Sequence, residues 1–384
     1  MIVRMNILQV MGCTSDQYGS MERYLVAKAR ALGDRGDHLI VVYENTPQSD
    51  RFIRELMDSG GELRRMKMKS RLDCVYCRSI RRLIKSENVG IIHVYFAPTS
   101  HSLSFYLALS GFKSVVRTAP NLPRAFRREK HKIHHLSERY FAFRHRFLAR
   151  FVRKIICRSE AVRREYLMLG VPPDKLAVVT GGADTERYRY SPEVRKEIRH
   201  KMGIPNGSIV IGAFSRLVKI KRIDRLIRAF HELQNGLLDY RLIVAGDGPE
   251  LRALKELASQ SSLNNSIGFL GQREDLTDLY SALDVFCSAS LAEGMSNSIL
   301  EAMSSELPVI ASDIPPNREL IDEGGGGYMI DFDRPDEFRR RIELISDAEV
   351  RKKMGAHNRN RVIQEFSLQT RVEKELAVYA QALS

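Results

Sequence analysis

The sequence predicts an α/β protein of two domains, each built on a doubly wound parallel sheet. Short apolar segments typical of buried strands alternate with longer segments of helical spacing, and this alternation continues through both halves of the chain. Polar or glycine-containing loops follow several predicted strands, as expected where parallel sheets bind ligands at the carboxyl ends of their strands. The length of 384 residues fits two domains.

The first such unit lies near the amino end of the sequence. It consists of a strand, a loop, a helix and a second strand, predicted at Asn6–Met11, 12–20, Met21–Leu32 and His38–Tyr43. Gly12 and Gly19 in the loop allow the backbone to approach a ligand closely. The sequence lacks the G-x-G-x-x-G fingerprint of dinucleotide-binding folds after this strand, so we do not predict bound NAD.

Composition limits the class of protein. Apolar residues make up 43% and charged residues 28%, and no apolar run approaches the roughly 18 residues needed to span a bilayer. The first apolar segment lacks a small-residue cleavage site, so we expect a strand there rather than a signal peptide. The five cysteines include one C-x-x-C pair, Cys74 and Cys77, and without a second pair we expect reduced thiols in a cytoplasmic protein rather than zinc.

The net charge of +14 indicates an anionic partner or a solubilising surface. Nucleic acid, an anionic membrane and an anionic substrate are all compatible with it. Because the sequence contains no recognised nucleic-acid-binding module, we do not predict nucleic acid as a partner.

The most basic segment runs from Arg124 to Arg153. Apolar residues recur there at intervals of three and four, which predicts a helix with one apolar stripe. The stripe consists of Ile133, Leu136, Tyr140, Phe143, Phe147 and Phe151. Such a helix can lie on an anionic membrane, or it can be a core helix with a basic solvent face. We expect the aromatic stripe to face the core and the arginines to face a membrane or an anionic acceptor. The arginines assigned to that surface are Arg124, Arg127, Arg128, Arg139 and Arg144.

The second half opens with a strand that ends at Ser215 and a helix predicted at Arg222–Leu233. Arg216 and Lys221 lie in the loop between them, at the carboxyl end of the strand. Arginine can bind a phosphate through two N–H groups, and lysine acts as a point charge. Two basic residues in a loop are weak evidence for a phosphate-binding site. The prediction that Arg216 and Lys221 bind phosphate therefore depends on a second segment, later in the sequence.

That stretch runs from Ser290 to Ser312 and predicts a loop, a helix and a buried strand. The helix should begin between Gly294 and Asn297, where a serine or asparagine can cap it. The first N–H groups of a helix lack intrahelical partners, so this helix start is suited to an anion such as a diphosphate.

Glu293 precedes that helix and Glu301 lies about two turns into it. Both carboxylates can therefore line one cleft without touching each other. Because carboxylates only accept hydrogen bonds, they suit the hydroxyl groups of a ligand that is part phosphate and part sugar.

The phrase E-G-M-S-N-S-I-L-E-A-M-S-S-E-L-P-V-I-A-S, with its E-x7-E spacing, resembles the signature of the retaining glycosyltransferases of family 4. Other segments resemble the same family: Y-G-S-M-E-R, with Ser20 in place of a second glycine, R-L-V-K-I-K and G-D-G-P-E. The resemblance implies the GT-B fold, in which two Rossmann-like domains face a cleft and a C-terminal helix crosses back to the first domain.

The resemblance also implies roles for domains and residues. Residues 1–182 with a helix at about 367–384 would bind the acceptor, and residues 183–366 would bind the nucleotide-sugar donor. The implied catalytic residues are Glu293, Arg216, Lys221 and His93. The implied donor-binding residues are Gly19, Gly294, Met295, Ser296, Asn297, Glu301, Gln272 and Arg273.

Some positions depart from the family pattern. Tyr95 and Ala119 occupy strand ends where relatives often carry histidine. For His93, a packed strand histidine and a ligand-facing one are equal alternatives. These departures are compatible with a different acceptor or with loss of activity.

The resemblance therefore implies a retaining glycosyltransferase that moves a sugar from a nucleotide-diphosphate sugar, UDP-sugar rather than GDP-sugar, to a lipid-linked or anionic glycan acceptor. It implies polysaccharide or glycolipid biosynthesis, with no metal and no cofactor beyond the nucleotide-sugar. We expect a cytoplasmic protein, with the basic charge favouring peripheral attachment to the inner face of the membrane. The alternatives are a catalytically inactive nucleotide-sugar-binding protein of this fold and, last, a nucleic-acid-binding protein.

Overall fold

The computed structural model describes residues 5–12, 18–67, 73–95, 100–123, 135–235, 238–260 and 266–384. The chain forms two compact units, the first comprising Met1–Thr180 with Leu368–Ser384 and the second comprising Gly181–Ser367. Each unit contains one sheet, and the strand pairs within both sheets are parallel. The predicted α/β class is therefore confirmed.

The sheet of the first unit has, among the described residues, the strand order β3-β2-β1-β4-β5-β6-β7. Its strands are β1 (Asn6–Met11), β2 (His38–Tyr43), β3 (Gly61–Arg65), β4 (Val89–Tyr95), β5 (Val115–Ala119), β6 (Lys154–Cys157) and β7 (Leu176–Val178). The helices between them are α1 (Ser20–Gly33), α2 (Asp50–Asp58), α3 (Cys74–Ser86), α4 (Ser100–Leu109), α5 (His135–Leu148) and α6 (Glu160–Met168). The strand order reverses between β1 and β4.

The sheet of the second unit has the described strand order β10-β9-β8-β11-β12-β13. Its strands are β8 (Ile209–Phe214), β9 (Tyr240–Ala245), β10 (Ile267–Gly271), β11 (Val285–Ser288), β12 (Val309–Ser312) and β13 (Gly327–Ile330). Its helices are α7 (Pro192–Lys201), α8 (Ile223–His231), α9 (Leu251–Ser259), α10 (Leu276–Ala282), α11 (Asn297–Ser304), α12 (Pro315–Leu320), α13 (Pro335–Ile345) and α14 (Ala348–Glu365). Every residue of β8 is buried, as expected for a central parallel strand covered on both faces.

The last helix, α15 (Leu368–Leu383), belongs to the first unit although the second unit precedes it in the chain. Val372, Leu376 and Tyr379 of α15 are buried in a core shared with α1, β1 and β2. This confirms that the C-terminal helix returns to the first domain.

Helix α5 contradicts one sequence prediction. Tyr140, Phe143 and Phe147, which belong to the predicted core-facing stripe, are 67%, 53% and 37% exposed. Among the side chains of this helix that the structure describes, the buried one is instead His145, whose ring lies edge-on to Tyr166 of α6 at a centroid distance of 5.7 Å. Periodicity correctly predicted which residues share a face of the helix. The face that packs on the domain, however, is the one that carries His145 and not the one that carries the aromatic stripe.

Among the described residues, no helix combines the length and apolar character needed to cross a membrane.

Candidate active site

The predicted phosphate-binding residues meet at one edge of the second sheet. Strands β8 and β11 are neighbours in the sheet. The chain continues from β8 to β9 on one side and from β11 to β12 on the other side, so the strand order reverses between β8 and β11. Arg216 and Lys221 follow β8, whereas Glu293 follows β11. Open α/β sheets bind ligands at such reversal points, and two stretches about 70 residues apart in sequence converge here.

Lys221 and Glu293 form an ion pair that the sequence analysis did not predict. Lys221 Nζ lies 2.5 Å from Glu293 Oε1, and both side chains are largely buried. The two loops are also joined through their backbones, because Leu291 N–H donates to the carbonyl of Ile220 at 2.8 Å. The pair fixes both functional groups at the carboxyl ends of β8 and β11.

Arg216 differs from Lys221 in being exposed. Its guanidinium has no hydrogen-bond or ion-pair partner among the described residues. A crevice beside it is lined by Ser215, Lys221, Ser290 and Ser298. The arginine is therefore available to an anionic ligand at this edge of the sheet.

The start of α11 agrees with the prediction. The helix begins at Asn297, and the hydroxyl of the N-cap residue Ser296 accepts a hydrogen bond from Ile299 N–H at 3.4 Å. Gly294 and Met295 in the preceding loop are buried, and Met295 Sδ accepts from Gly181 N–H at 2.8 Å. The positive end of the helix dipole thus lies beside the Lys221–Glu293 pair.

Tyr280 of α10 orients Glu301, and no sequence signal pointed to it. Its hydroxyl lies 3.1 Å from Glu301 Oε2 and 3.2 Å from the carbonyl of Ser298. Burial and the charge of Glu301 raise the pKa of Tyr280 well above its usual value. The hydroxyl therefore stays protonated and donates, holding one oxygen of the carboxylate while the group remains slightly exposed.

The G-D-G-P-E turn supports the loop after β8. Gly246 has φ +133°, and a Cβ atom there would lie 1.8 Å from the carbonyl oxygen of Ser215. Asp247 accepts from Leu217 N–H at 2.8 Å through its backbone carbonyl. Only glycine permits this close approach, which positions the segment carrying Arg216.

Gln272 and Arg273 follow β10, two strands away from β8. Both are exposed, and Arg273 forms a two-bond pair with Asp275 at 2.8 and 2.5 Å. Their donor-binding role remains a prediction.

Gly19 of the first unit caps α1 at the edge where β1 and β4 adjoin. Its N–H donates to Glu22 Oε2 at 2.9 Å, so Glu22 stabilises the first helical turn. Nearby, Gly12 N–H donates to the carbonyl of Tyr95 at 2.8 Å. The ligand-binding role of Gly19 remains a prediction.

His93 requires a correction. The side chain is completely buried, and its ring nitrogens lie 2.6 Å from the hydroxyls of Tyr379 and Thr118. Burial lowers its pKa, which favours the neutral ring. Because both nitrogens are bonded inside the domain, the packed-strand alternative describes this residue, and it is not a ligand-facing catalytic group.

His93 belongs to a buried polar cluster that joins α15 to the rest of the first unit. Lys28 Nζ lies 2.8 Å from Glu375 Oε1, and that oxygen also accepts from the hydroxyls of Tyr24 and, at 2.8 Å, Tyr379. Burial alone would raise the pKa of Glu375, but the charge of Lys28 and the neighbouring His93 hold it well below its usual value. Glu375 is therefore a carboxylate ion inside the core.

The basic surface is described in part. Arg139 and Arg144 of α5 are exposed, and the Arg144 guanidinium lies 5.5 Å from the centre of the Phe141 ring. Arg124, Arg127 and Arg128 lie outside the described residues.

Within the described ranges, no group of three or more His, Cys, Asp or Glu side chains is arranged to hold a metal ion. Metal independence remains a prediction.

The fold defines an α/β protein with two Rossmann-like parallel-sheet domains. Two family models match consecutive parts of the chain: Glycosyltransferase Family 4 at residues 21–187 and Glycosyl transferases group 1 at residues 194–361. Together the two matches cover most of the chain, and they support a glycosyltransferase of the GT-B fold.

Two curated relatives illustrate the range of similar proteins. An Escherichia coli UDP-Gal:alpha-D-GlcNAc-diphosphoundecaprenol alpha-1,3-galactosyltransferase is 28% identical over 307 residues, which is 78% of each chain. An alpha-monoglucosyldiacylglycerol synthase of Streptococcus pneumoniae is 35% identical over 173 residues, which is 44% of this chain and 39% of the synthase. The chain thus spans well under two thirds of the second relative.

Among solved structures, HepE of Anabaena in complex with UDP is similar with a TM-score of 0.81. The identity is 20%, and the match covers 98% of this chain and 100% of HepE. This likeness supports the fold.

Proposed function

We propose that the protein is a retaining glycosyltransferase that uses a UDP-sugar and glycosylates a lipid-linked or anionic glycan acceptor in polysaccharide or glycolipid biosynthesis. The observation that carries the proposal is the convergence of Lys221, Glu293 and Arg216 at the reversal point of the second sheet. The Arg216 guanidinium has no partner among the described residues. The E. coli relative is named for a UDP-sugar and a diphospholipid acceptor, and HepE was crystallised with UDP-glucose.

In this proposal the donor diphosphate lies against Arg216, Lys221 and the start of α11. The diphosphate competes with Glu293 for the Lys221 ammonium, which frees Glu293 to accept from a hydroxyl of the sugar. As the sugar leaves, negative charge grows on the diphosphate, and the fixed positive groups stabilise it without reorganising.

Glu301 accepts from the ribose hydroxyls. Tyr280 contributes by holding the carboxylate in one orientation, since its hydroxyl is protonated and already hydrogen-bonded. A carboxylate that is oriented before binding loses less conformational entropy when the nucleotide arrives.

Retention follows from same-face substitution. The bond between the anomeric carbon and the diphosphate oxygen breaks, the acceptor oxygen bonds to that carbon from the same side, and the acceptor proton passes to the departing diphosphate. This step requires no protein nucleophile, and none of the site residues is assigned that role.

Helix α5 is the proposed membrane contact. Its exposed Tyr140, Phe143 and Phe147 stand beside exposed Arg139 and Arg144, a combination suited to the headgroup region of an anionic bilayer. Each basic side chain near such a surface adds roughly 1 kcal/mol at physiological salt.

Vesicle sedimentation tests the membrane contact. The wild type should bind vesicles containing phosphatidylglycerol more strongly than pure phosphatidylcholine vesicles. The double variant Phe143→Ser, Phe147→Ser should lose this binding, whereas Leu344→Ser, which changes an exposed apolar residue of the second unit, should keep it. Equal binding by both variants would exclude α5 as the contact.

Thermal unfolding with UDP and GDP tests the donor site. Ligand at about 100 times its dissociation constant should stabilise the protein by about 2.7 kcal/mol. UDP should raise the melting temperature more than GDP, and Glu301→Ala should weaken the shift while the exposed control Glu256→Ala preserves it. No shift with either nucleotide would overturn the proposal, and a shift without sugar transfer to any acceptor would favour the inactive alternative.

A further inference from the structure

The turn that carries Lys221 ends in an unusual backbone conformation. Residues Lys219–Lys221 form a short 3-10 turn after β8, and Arg222 both ends this turn and serves as the N-cap residue of α8. Arg222 has φ +49° and ψ +39°, which lies in the left-handed helical region. Glycine occupies that region easily, whereas the Cβ atom of any other residue crowds the following carbonyl oxygen. A residue such as arginine keeps this conformation only where surrounding contacts enforce it.

An ion pair supplies such a contact. Nη2 of Arg222 lies 2.6 Å from Oδ2 of Asp333, which belongs to the loop between β13 and α13. The other carboxylate oxygen, Oδ1, lies 3.0 Å from Nη1 of Arg225 in the first turn of α8. One carboxylate therefore binds two arginines at the start of α8.

The backbones on both sides of this ion pair are anchored in the core of the second unit. Ile223, next to Arg222, and Phe332, next to Asp333, are both buried and belong to the same hydrophobic cluster. Asp333 N–H also donates to Oδ1 of Asp331 at 2.9 Å. An ion pair at a protein surface usually contributes little, because two flexible side chains must be ordered. Here less freedom is lost, since both side chains extend from fixed backbone.

The same turn determines where the Lys221 ammonium lies. Lys221 N–H donates to the carbonyl of Val218 at 2.9 Å, and Arg222 N–H donates to the carbonyl of Lys219 at 3.0 Å. Because Arg222 directly follows Lys221, a rotation of Arg222 out of the left-handed region would redirect the chain between the turn and α8. The ion pair with Asp333 opposes that rotation.

We propose that Arg222 and Asp333 are positioning residues of the donor site. Their ion pair keeps Arg222 in the left-handed conformation, and this conformation places the Lys221 ammonium where it binds the donor diphosphate. Both residues act through the backbone at Lys221 and do not contact the diphosphate. This inference rests on the proposed function, in which Lys221 binds that diphosphate.

Calorimetric titration with UDP, well below the melting temperature, tests the positioning. Arg222→Ala removes the ion pair but keeps a Cβ atom, so the turn can relax. UDP should then bind about tenfold more weakly, the effect of losing one well-aligned charge-assisted hydrogen bond, and Asp333→Ala should have a similar effect. Arg228→Ala is the matched control, since it removes an exposed arginine from α8 and should bind UDP as the wild type does.

Arg222→Gly separates this role from two alternatives. Glycine needs no ion pair to occupy the left-handed region, so this variant should bind UDP within about threefold of the wild type. If the Arg222 guanidinium bound the diphosphate directly, Arg222→Gly would lose as much affinity as Arg222→Ala, and this result overturns the proposal. If the ion pair only stabilised the fold, Arg222→Ala and Asp333→Ala would melt at lower temperature but bind UDP normally. Wild-type affinity in either variant therefore also overturns the proposal. If Asp333→Ala does not fold, Asp333→Asn takes its place under the same criteria.

Hydrogen exchange separates failure of this inference from failure of the proposed function. If the wild type binds no UDP, the proposed function fails, but the effect of the ion pair on the turn is still measurable. The backbone amides at positions 222 and 225 donate to the carbonyls of Lys219 and Arg222, each at 3.0 Å. They should exchange faster in Asp333→Ala than in the wild type, which supports the role of the ion pair in fixing the turn. Unchanged exchange would overturn the inference whatever the UDP titration shows.

Discussion

Replacing Glu375 by glutamine tests the buried polar cluster most directly. The change preserves size and removes the negative charge that faces Lys28. Lys28 is completely buried, and burial already lowers its pKa despite the opposing charge of Glu375. Without the carboxylate, the ammonium must either stay buried without its counter-charge or lose its proton.

The expected cost follows from that burial. Removing one member of a buried ion pair typically costs about 3–5 kcal/mol, because it leaves an uncompensated charge in the interior. For domains of 150–250 residues each kcal/mol lowers the melting temperature by roughly 2–4 °C. Glu375→Gln should therefore lower the melting temperature of the first unit by about 6–20 °C.

Calorimetry measures this shift, and hydrogen exchange of α15 identifies where it originates. Glu373→Gln makes the same chemical change on the exposed face of the helix and should leave the melting temperature almost unchanged. The double variant Lys28→Met, Glu375→Leu should recover much of the loss, since it removes both charges. Equal stability of Glu375→Gln and Glu373→Gln would refute the reasoning.

Three further outcomes follow from the site and the cluster. Lys221→Ala should lower kcat on the order of 100-fold or more in a sugar-transfer assay, because it removes a positive charge that stabilises the departing diphosphate. Lys219→Ala changes an exposed lysine in the same turn and should have nearly wild-type activity. Equal activities of the two variants would contradict the role of Lys221 in binding the diphosphate. Tyr280→Phe should weaken UDP binding about tenfold in calorimetry, because Glu301 loses its orienting donor, and unchanged affinity would show that the carboxylate is held by other contacts. The folded-state pKa of His93 lies below the unfolded value near 6.5, so its contribution to stability is present above that pH and lost as pH falls toward the folded pKa. His93→Gln should thus flatten the fall in melting temperature as the pH is lowered below about 6.5, and an unchanged slope would assign that fall to other groups.

The start of α11 was predictable because its signals are local. Ser296 precedes a run of helix formers, and Pro308 after the helix introduces the next strand, so the sequence alone located the helix start. The strand pattern likewise placed Arg216 at the carboxyl end of a strand, and the loop before the predicted helix contains Glu293. Their meeting at one sheet edge follows from the parallel order of the strands.

The buried polar cluster was not predictable from local patterns. Lys28 in α1 looks like a solvent-facing residue, and Glu375 like a surface glutamate of an amphipathic helix. In the folded domain each compensates the charge of the other, and they are separated by most of the chain. His93 was misassigned for the same reason, since its partner Tyr379 comes from the last helix.

Helix α5 shows a different limit of sequence reasoning. The spacing of Tyr140, Phe143 and Phe147 correctly placed them on one face. Periodicity cannot say what covers that face, and a stripe that binds a bilayer has the same spacing as one that binds a core.

The membership of α15 in the first unit has a consequence for biosynthesis. A ribosome completes β1 to β7 and then the whole second unit before α15 emerges, so the nascent first domain must wait for Val372, Leu376 and Tyr379. During that interval the ammonium of Lys28 remains hydrated and the apolar surface beside it uncovered. Translation of α15 is thus the step that completes the first domain, and it comes after every strand and helix of the second unit has been synthesised.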